Sequence, residues 1–84
     1  MTTDTIVSPP KRGDLCANGA TILDIKRSFG DSPSWIVLCL YPESKHHPYV
    51  TWWGYWSETG TFNTSMGHYH DMLSQAIVDF DSRI

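Results

Sequence analysis

Trp35-Ile36-Val37-Leu38-Cys39-Leu40-Tyr41 is the most apolar run in the chain, and Pro42 closes it. Its length suits a strand and falls short of a buried helix. The β-branched Ile36 and Val37, and prolines on both sides at Pro33 and Pro42, point the same way. A strand that is apolar at every position has no face to offer to water. It therefore reads as the central strand of a sheet, covered on both faces.

C-terminal to this run, Glu43-Ser44-Lys45-His46-His47-Pro48 is polar and reads as a loop. Tyr49-Val50-Thr51-Trp52-Trp53-Gly54-Tyr55-Trp56 then reads as a second strand, because aromatic and β-branched residues dominate it. Alternation puts Tyr49, Thr51, Trp53 and Tyr55 on one face and Val50, Trp52 and Trp56 on the other. Ser57-Glu58-Thr59-Gly60 is a hairpin turn, and Thr61 to about Met66 returns as another strand. Gly67-His68-Tyr69-His70 leads to Asp71, a good N-cap residue. Met72, Leu73, Ala76, Ile77, Phe80 and Ile84 fall on one stripe of a helix, with Val78 the apolar misfit. So short a helix is marginal alone and needs its stripe buried on the sheet.

N-terminal to the central run, Ser28 to Ser34 holds Gly30, Asp31 and Pro33 and reads as a loop. Ala20 to Arg27 alternates as a strand. Asn18-Gly19 before it is a reversal signal, with a fifth, very short strand expected at residues 14–17. Residues 1–9 read as a flexible tail and residues 10–84 as one domain. With short links between successive strands, an antiparallel meander is the simplest topology. The expected fold is α+β: a small antiparallel sheet of four to five strands with one C-terminal amphipathic helix packed on it. Pro9-Pro10-Lys11-Arg12-Gly13-Asp14, followed by a turn and a strand, is similar to the opening of SH3-like partial barrels, which stand as the alternative.

Composition excludes several function classes. The 84 residues carry a net charge of −3, which disfavours a duplex-DNA binder that must neutralise many phosphates, and equally a polybasic membrane-surface protein. The cations come as two pairs, Lys11-Arg12 and Lys26-Arg27, with Lys45 and Arg83 alone; whether the pairs converge is not legible in sequence. The longest apolar run is far below the roughly 18–20 residues of a membrane span. Met1 to Thr5 lacks the basic and apolar regions of a secretory signal, so a cytoplasmic setting is expected. Cys16 and Cys39, 23 residues apart, match no metal knuckle or redox motif and are expected as free thiols, bridged only in an oxidising compartment.

Chemistry-bearing patterns are few. His68 and His70 are two apart, so on a strand both face one way and could hold a metal, with Asp71, His46 or His47 completing the set. The same histidines beside Asp71 could make an acid–base pair, and Cys16 could act as a nucleophile with a distant histidine. The spacing forces none of this, and exposed histidines are common in loops and helix entries. No nucleophile elbow, phosphate loop or paired carboxylate motif is present, so no enzyme and no cofactor is expected. Arg12-Gly13-Asp14 and Asn63-Thr64-Ser65 match short adhesion and glycosylation patterns that arise readily by chance.

The aromatics carry the functional expectation. Four Trp, four Tyr and three Phe outnumber what a single helix can cover, so rings are expected at the surface. Tyr49, Trp52, Trp53, Tyr55 and Trp56, with Glu58 for charge, are the candidate protein-binding residues, and Trp53, Tyr55 and Trp56 the anchors. Acidic groups around them would steer toward a basic partner. A two-fold homodimer would satisfy the same surface. In size, acidity and want of a catalytic signature the chain resembles the small accessory proteins of bacteriophages and plasmids, many of which block host proteins, defence systems included. That likeness implies an inhibitor acting by steric binding. The alternatives are a single-stranded nucleic-acid binder that stacks bases on the sheet, with Lys26, Arg27 and Lys45 on phosphate, and a small metal-binding protein using His68 and His70.

Overall fold

Alternation and turn chemistry resolve into four strands and one helix in a computed structural model that describes residues 8–28 and 33–83. The strands are β1 (Thr21–Arg27), β2 (Trp35–Leu40), β3 (Tyr49–Trp56) and β4 (Phe62–His70), and helix α1 spans Leu73–Ser82. They form one antiparallel sheet in the order β1-β2-β3-β4, the meander expected from the short connections. The sheet keeps β1 and β4 at its two edges, with no pairing between them among the described residues. Gly30 and Asp31 of the expected loop, residues 1–7 of the expected tail and Ile84 of the helical stripe lie outside the described residues.

β2 is buried from Trp35 to Cys39, as an apolar strand with both faces covered must be. Ile36 and Leu38 point toward α1 and pack with Ala76 and Phe80, flanked by Leu23, Tyr49 and Trp53. Trp35, Val37 and Cys39 point the other way and pack with Ile22, Val50, Trp52 and Phe62. The cover on this second face comes from the N-terminal segment. Cys16 and Ala20 belong to the same core cluster, and Pro10 is buried. Ala17 N donates to Phe62 O at 3.0 Å, and Gly13 N to Ile22 O at 2.7 Å. Gly19 makes the reversal at φ 90°, a left-handed conformation that glycine adopts without steric penalty.

Three local expectations are corrected. Residues 14–17 make no fifth strand: only an isolated bridge, Leu15 to Thr21, is present. Asp71 does not cap the helix. The N-cap is Met72, with no side-chain cap bond, because the Asp71 carboxylate pairs with His47 instead. Among its described residues the helical stripe is buried only at Ala76 and Phe80, whereas Met72, Leu73 and Ile77 stay exposed.

β4 also runs four residues past its expected end. A bulge lies between Thr51 and Trp53 of β3, with Met66 and Gly67 on the β4 side, and Met66 sits there at φ 55°. Ser65 pairs with Trp53 before the bulge, and His68 pairs with Thr51 after it. The extra residue inverts parity along β4, so His68 and His70 share the α1 face with Thr51, and Tyr69 turns to the opposite face beside Trp52.

Candidate functional site

The expected interface residues separate according to strand parity. Trp52 is 4% exposed within the core under the N-terminal segment, so its ring presents nothing to a partner. Tyr49 and Trp53 are partly buried against the α1-side core. Tyr55 and Trp56, at the end of β3, are 39% and 37% exposed. The Tyr55 ring centroid is 5.8 Å from that of Trp53, and the Trp56 ring packs edge-on against Phe62 at 5.0 Å. The Trp56 indole donates Nε1–H to Ser8 O at 2.8 Å, which fixes the ring and ties it to the N-terminal segment. Glu58 is exposed in the following turn. Both rings lie at the end of β3, beside the turn that follows it.

Two grooves flank the start of β2. One, of about 430 Å³, is lined by Pro33, Ser34, Trp53, Tyr55, Trp56 and Ser65. The other, of about 510 Å³, gathers Lys11, Arg12, Lys26 and Arg27 with Pro9 and Trp35. The two dibasic pairs thus converge, which spacing alone did not disclose. Their charges are not equally available. Arg12 is paired to Asp24 at 2.7 Å, and Lys26 donates to Asp81 O at 3.1 Å with Nζ over the Phe80 ring. Arg27 lies over Trp35 at 5.6 Å, and neither its guanidinium nor the Lys11 ammonium forms an ion pair among the described residues, although the Lys11 backbone N–H donates to Asp14 Oδ2 at 3.0 Å. Lys45, proposed with Lys26 and Arg27 as a phosphate contact, is exposed in the β2–β3 loop and does not line this groove.

The histidines lie against a different carboxylate from the one their spacing suggested. His68 and His70 face the same way, but toward Asp79 of α1 rather than toward Asp71. His68 Nδ1 lies 3.0 Å and His70 Nε2 3.4 Å from Asp79 Oδ2. The fully buried Thr51 hydroxyl donates to the same oxygen. Arg83 donates to Thr51 O and Thr51 Oγ1, both at 3.0 Å, and to Met66 O at 2.8 Å, which catches the carbonyl of the bulge. Burial raises the Asp79 carboxyl, but the Thr51 hydroxyl and then the two imidazoles outweigh it and hold the group below its ordinary value. Burial likewise lowers Arg83, with the Asp79 charge opposing.

No set of three metal-ligating side chains is arranged to hold an ion among the described residues. The carboxylate that would complete a site with His68 and His70 is already occupied by Thr51 and lies near the Arg83 cation. His46 is exposed in its loop, and His47 is engaged by Asp71. Asp71 is likewise absent from the acid–base pairing suggested for it with His68 or His70. The cluster is best explained as the polar clasp that docks α1, since only Ala76 and Phe80 of the helix are buried. Its key residues, Asp79, Thr51 and Arg83, carried no signal in sequence that set them apart from other polar residues. Cys16, suggested as a nucleophile with a distant histidine, is buried against Cys39 instead. No helix among the described residues is long and apolar enough to cross a membrane. In comparisons with known proteins, no family model, no curated protein and no solved structure matches the chain.

Proposed function

We propose that this chain is a non-enzymatic interaction module that binds another protein through the β3 corner and acts by covering its partner's surface. One observation carries the reading: Tyr55 and Trp56 are exposed together beside a groove that their own fold leaves open. Aromatic rings at a groove supply large contact area at small entropy cost, and such rings dominate binding energy in interfaces. The adjacent cations refine the partner. Arg27 and Lys11 line the second groove at the same end of β2, so a partner segment carrying a carboxylate next to an apolar residue suits this surface. This replaces the expectation of a basic partner, which considered only Glu58 and its acidic neighbours.

Single-stranded nucleic acid is the second reading, favoured by the convergence of the two dibasic pairs. It is the weaker one. With Arg12 and Lys26 engaged, few cations remain for phosphate, and affinity for a strand scales with the number of phosphates neutralised.

The test compares wild type with Tyr55→Ala and Arg27→Glu as bait in affinity capture from the source cells. Circular dichroism establishes that each variant is folded. A protein held by wild type and lost by both folded variants supports the reading. A protein retained equally by all three overturns it. Oligonucleotide binding that quenches Trp fluorescence and weakens steeply with salt selects the second reading instead.

A further inference from the structure

Cys16 and Cys39 are 23 residues apart in the chain, yet their Sγ atoms are 3.9 Å apart inside the core. Cys16 belongs to the N-terminal segment that covers one face of the sheet, and Cys39 to the centre of β2. Both backbones are held. Cys16 N donates to Ala20 O at 2.9 Å, and Cys39 is paired with Ile22 on one side and Val50 on the other. The surrounding side chains are apolar, so each sulfur is the other's polar neighbour. A disulfide needs an S–S separation of about 2.05 Å, so the two sulfurs need to approach by roughly 2 Å to bond.

The geometry points to a modification site: Cys16 and Cys39 form a reversible intramolecular disulfide by exchange with a low-molecular-weight disulfide such as oxidised glutathione. The two sulfurs have distinct roles. Cys16 is 5% exposed, lies on the N-terminal segment outside the sheet, and is made more acidic by its hydrogen bond with Cys39. Cys39 is fully buried, and its thiol is pushed up by that same bond and by burial. Cys16 therefore attacks first. Its thiol releases a proton, the thiolate attacks one glutathione sulfur, the glutathione S–S bond breaks, and one glutathione thiolate leaves and takes up a proton. Cys39 then releases its proton and attacks Cys16 Sγ, expelling the second glutathione thiolate, which is protonated in turn. Two protein thiols lose two electrons and become one disulfide; one glutathione disulfide gains them and becomes two thiols.

The consequence is a staple between the cover and the sheet. The segment so fixed also carries the Ser8 carbonyl that orients Trp56. Access to Cys16 requires the segment to lift, so closure is gated by local opening, and once closed the disulfide prevents that opening.

The experiment equilibrates the full-length folded chain with a series of glutathione buffers from reducing to oxidising, quenches with a thiol alkylator and reads intact mass. A monomer that loses two hydrogens and both alkylation sites is expected. Amide exchange in residues 13–20 should slow by roughly tenfold or more in that product, because loop closure is removed from the open state. Cys39→Ala should stop at a glutathione adduct on Cys16, and Cys16→Ala should remain unmodified. The assignment is overturned if folded wild type keeps both thiols across the series, or yields only adducts or intermolecular dimers. Glutathione uptake at Cys39 in the folded Cys16→Ala variant would overturn the order of attack.

Discussion

Replacing Asp79 with alanine tests whether the polar clasp, rather than the apolar stripe, holds α1 on the sheet. The helix has ten residues, no side-chain N-cap and two buried apolar residues, Ala76 and Phe80. A helix so short has little stability of its own, and burying one Phe contributes only about 1.5–3 kcal/mol. In Asp79→Ala, the Thr51 hydroxyl keeps Arg83 as a donor but loses the acceptor for its own hydrogen, at a site with no solvent access. An unsatisfied buried group costs about 1–3 kcal/mol. Arg83 loses the Asp79 charge that acts on it, and His70 Nε2, already without a hydrogen-bond partner, loses the carboxylate 3.4 Å away. His68 is 52% exposed and is rehydrated, so its loss is small. The sum is about 2–4 kcal/mol, a large share of the stability of a domain this size, and lowers Tm by about 10–25 °C. Thermal and urea unfolding followed by circular dichroism measure it. Asp81→Ala, an exposed change on the same helix, serves as control and should stay within about 0.5 kcal/mol of wild type. A loss at Asp79 no larger than the control's would refute the clasp and return the helix to apolar packing alone.

The remaining predictions follow from the same geometry. Because Asp79 is held below its ordinary value of 3.8, the unfolded chain binds its proton more readily than the folded one. Its contribution is complete above that value and drains as pH falls through the lower, folded value, so the gap in unfolding free energy between wild type and Asp79→Ala should narrow below about pH 4. Gly67→Ala would place a Cβ 2.5 Å from Trp52 Nε1 and 3.0 Å from the Tyr69 ring at the bulge. It should cost about 1–3 kcal/mol in urea unfolding, through displacement of a core indole. Tyr55→Ala should leave Tm within a few degrees, whereas Trp56→Ala, which also loses Phe62 and the Ser8 bond, should lower it by about 5–10 °C and remain folded. Unfolding of either variant at room temperature would show that these rings support the core rather than a surface.

How much was legible in the sequence follows from the range of the interactions involved. Strand identity in β2 and β3, the meander and the C-terminal helix depend on runs of apolar and β-branched residues and on turn residues between them, all local in the chain. Parity within β3 is local too, so Tyr55 and Trp53 could be assigned one face and Trp52 the other without coordinates. The sequence does not say which face receives which cover. The helix covers one, but the second is closed by residues 8–20, whose prolines and turn residues carry no periodic signal; their hold comes from backbone bonds to Ile22 and Phe62. That cover hides Trp35 and Trp52, while Tyr55, Trp56 and Tyr69 keep exposed rings. The histidines mark the same boundary. Two residues apart on a strand, they must share a face, but a single extra residue at Met66-Gly67 decides which, and a bulge is a property of two paired strands rather than of one. Tertiary structure alone therefore set His68 and His70 against Asp79, brought the two dibasic pairs to one groove and placed the two cysteines in contact. Each depends on chain segments distant in sequence, which meet only when burial of the shared core brings them together.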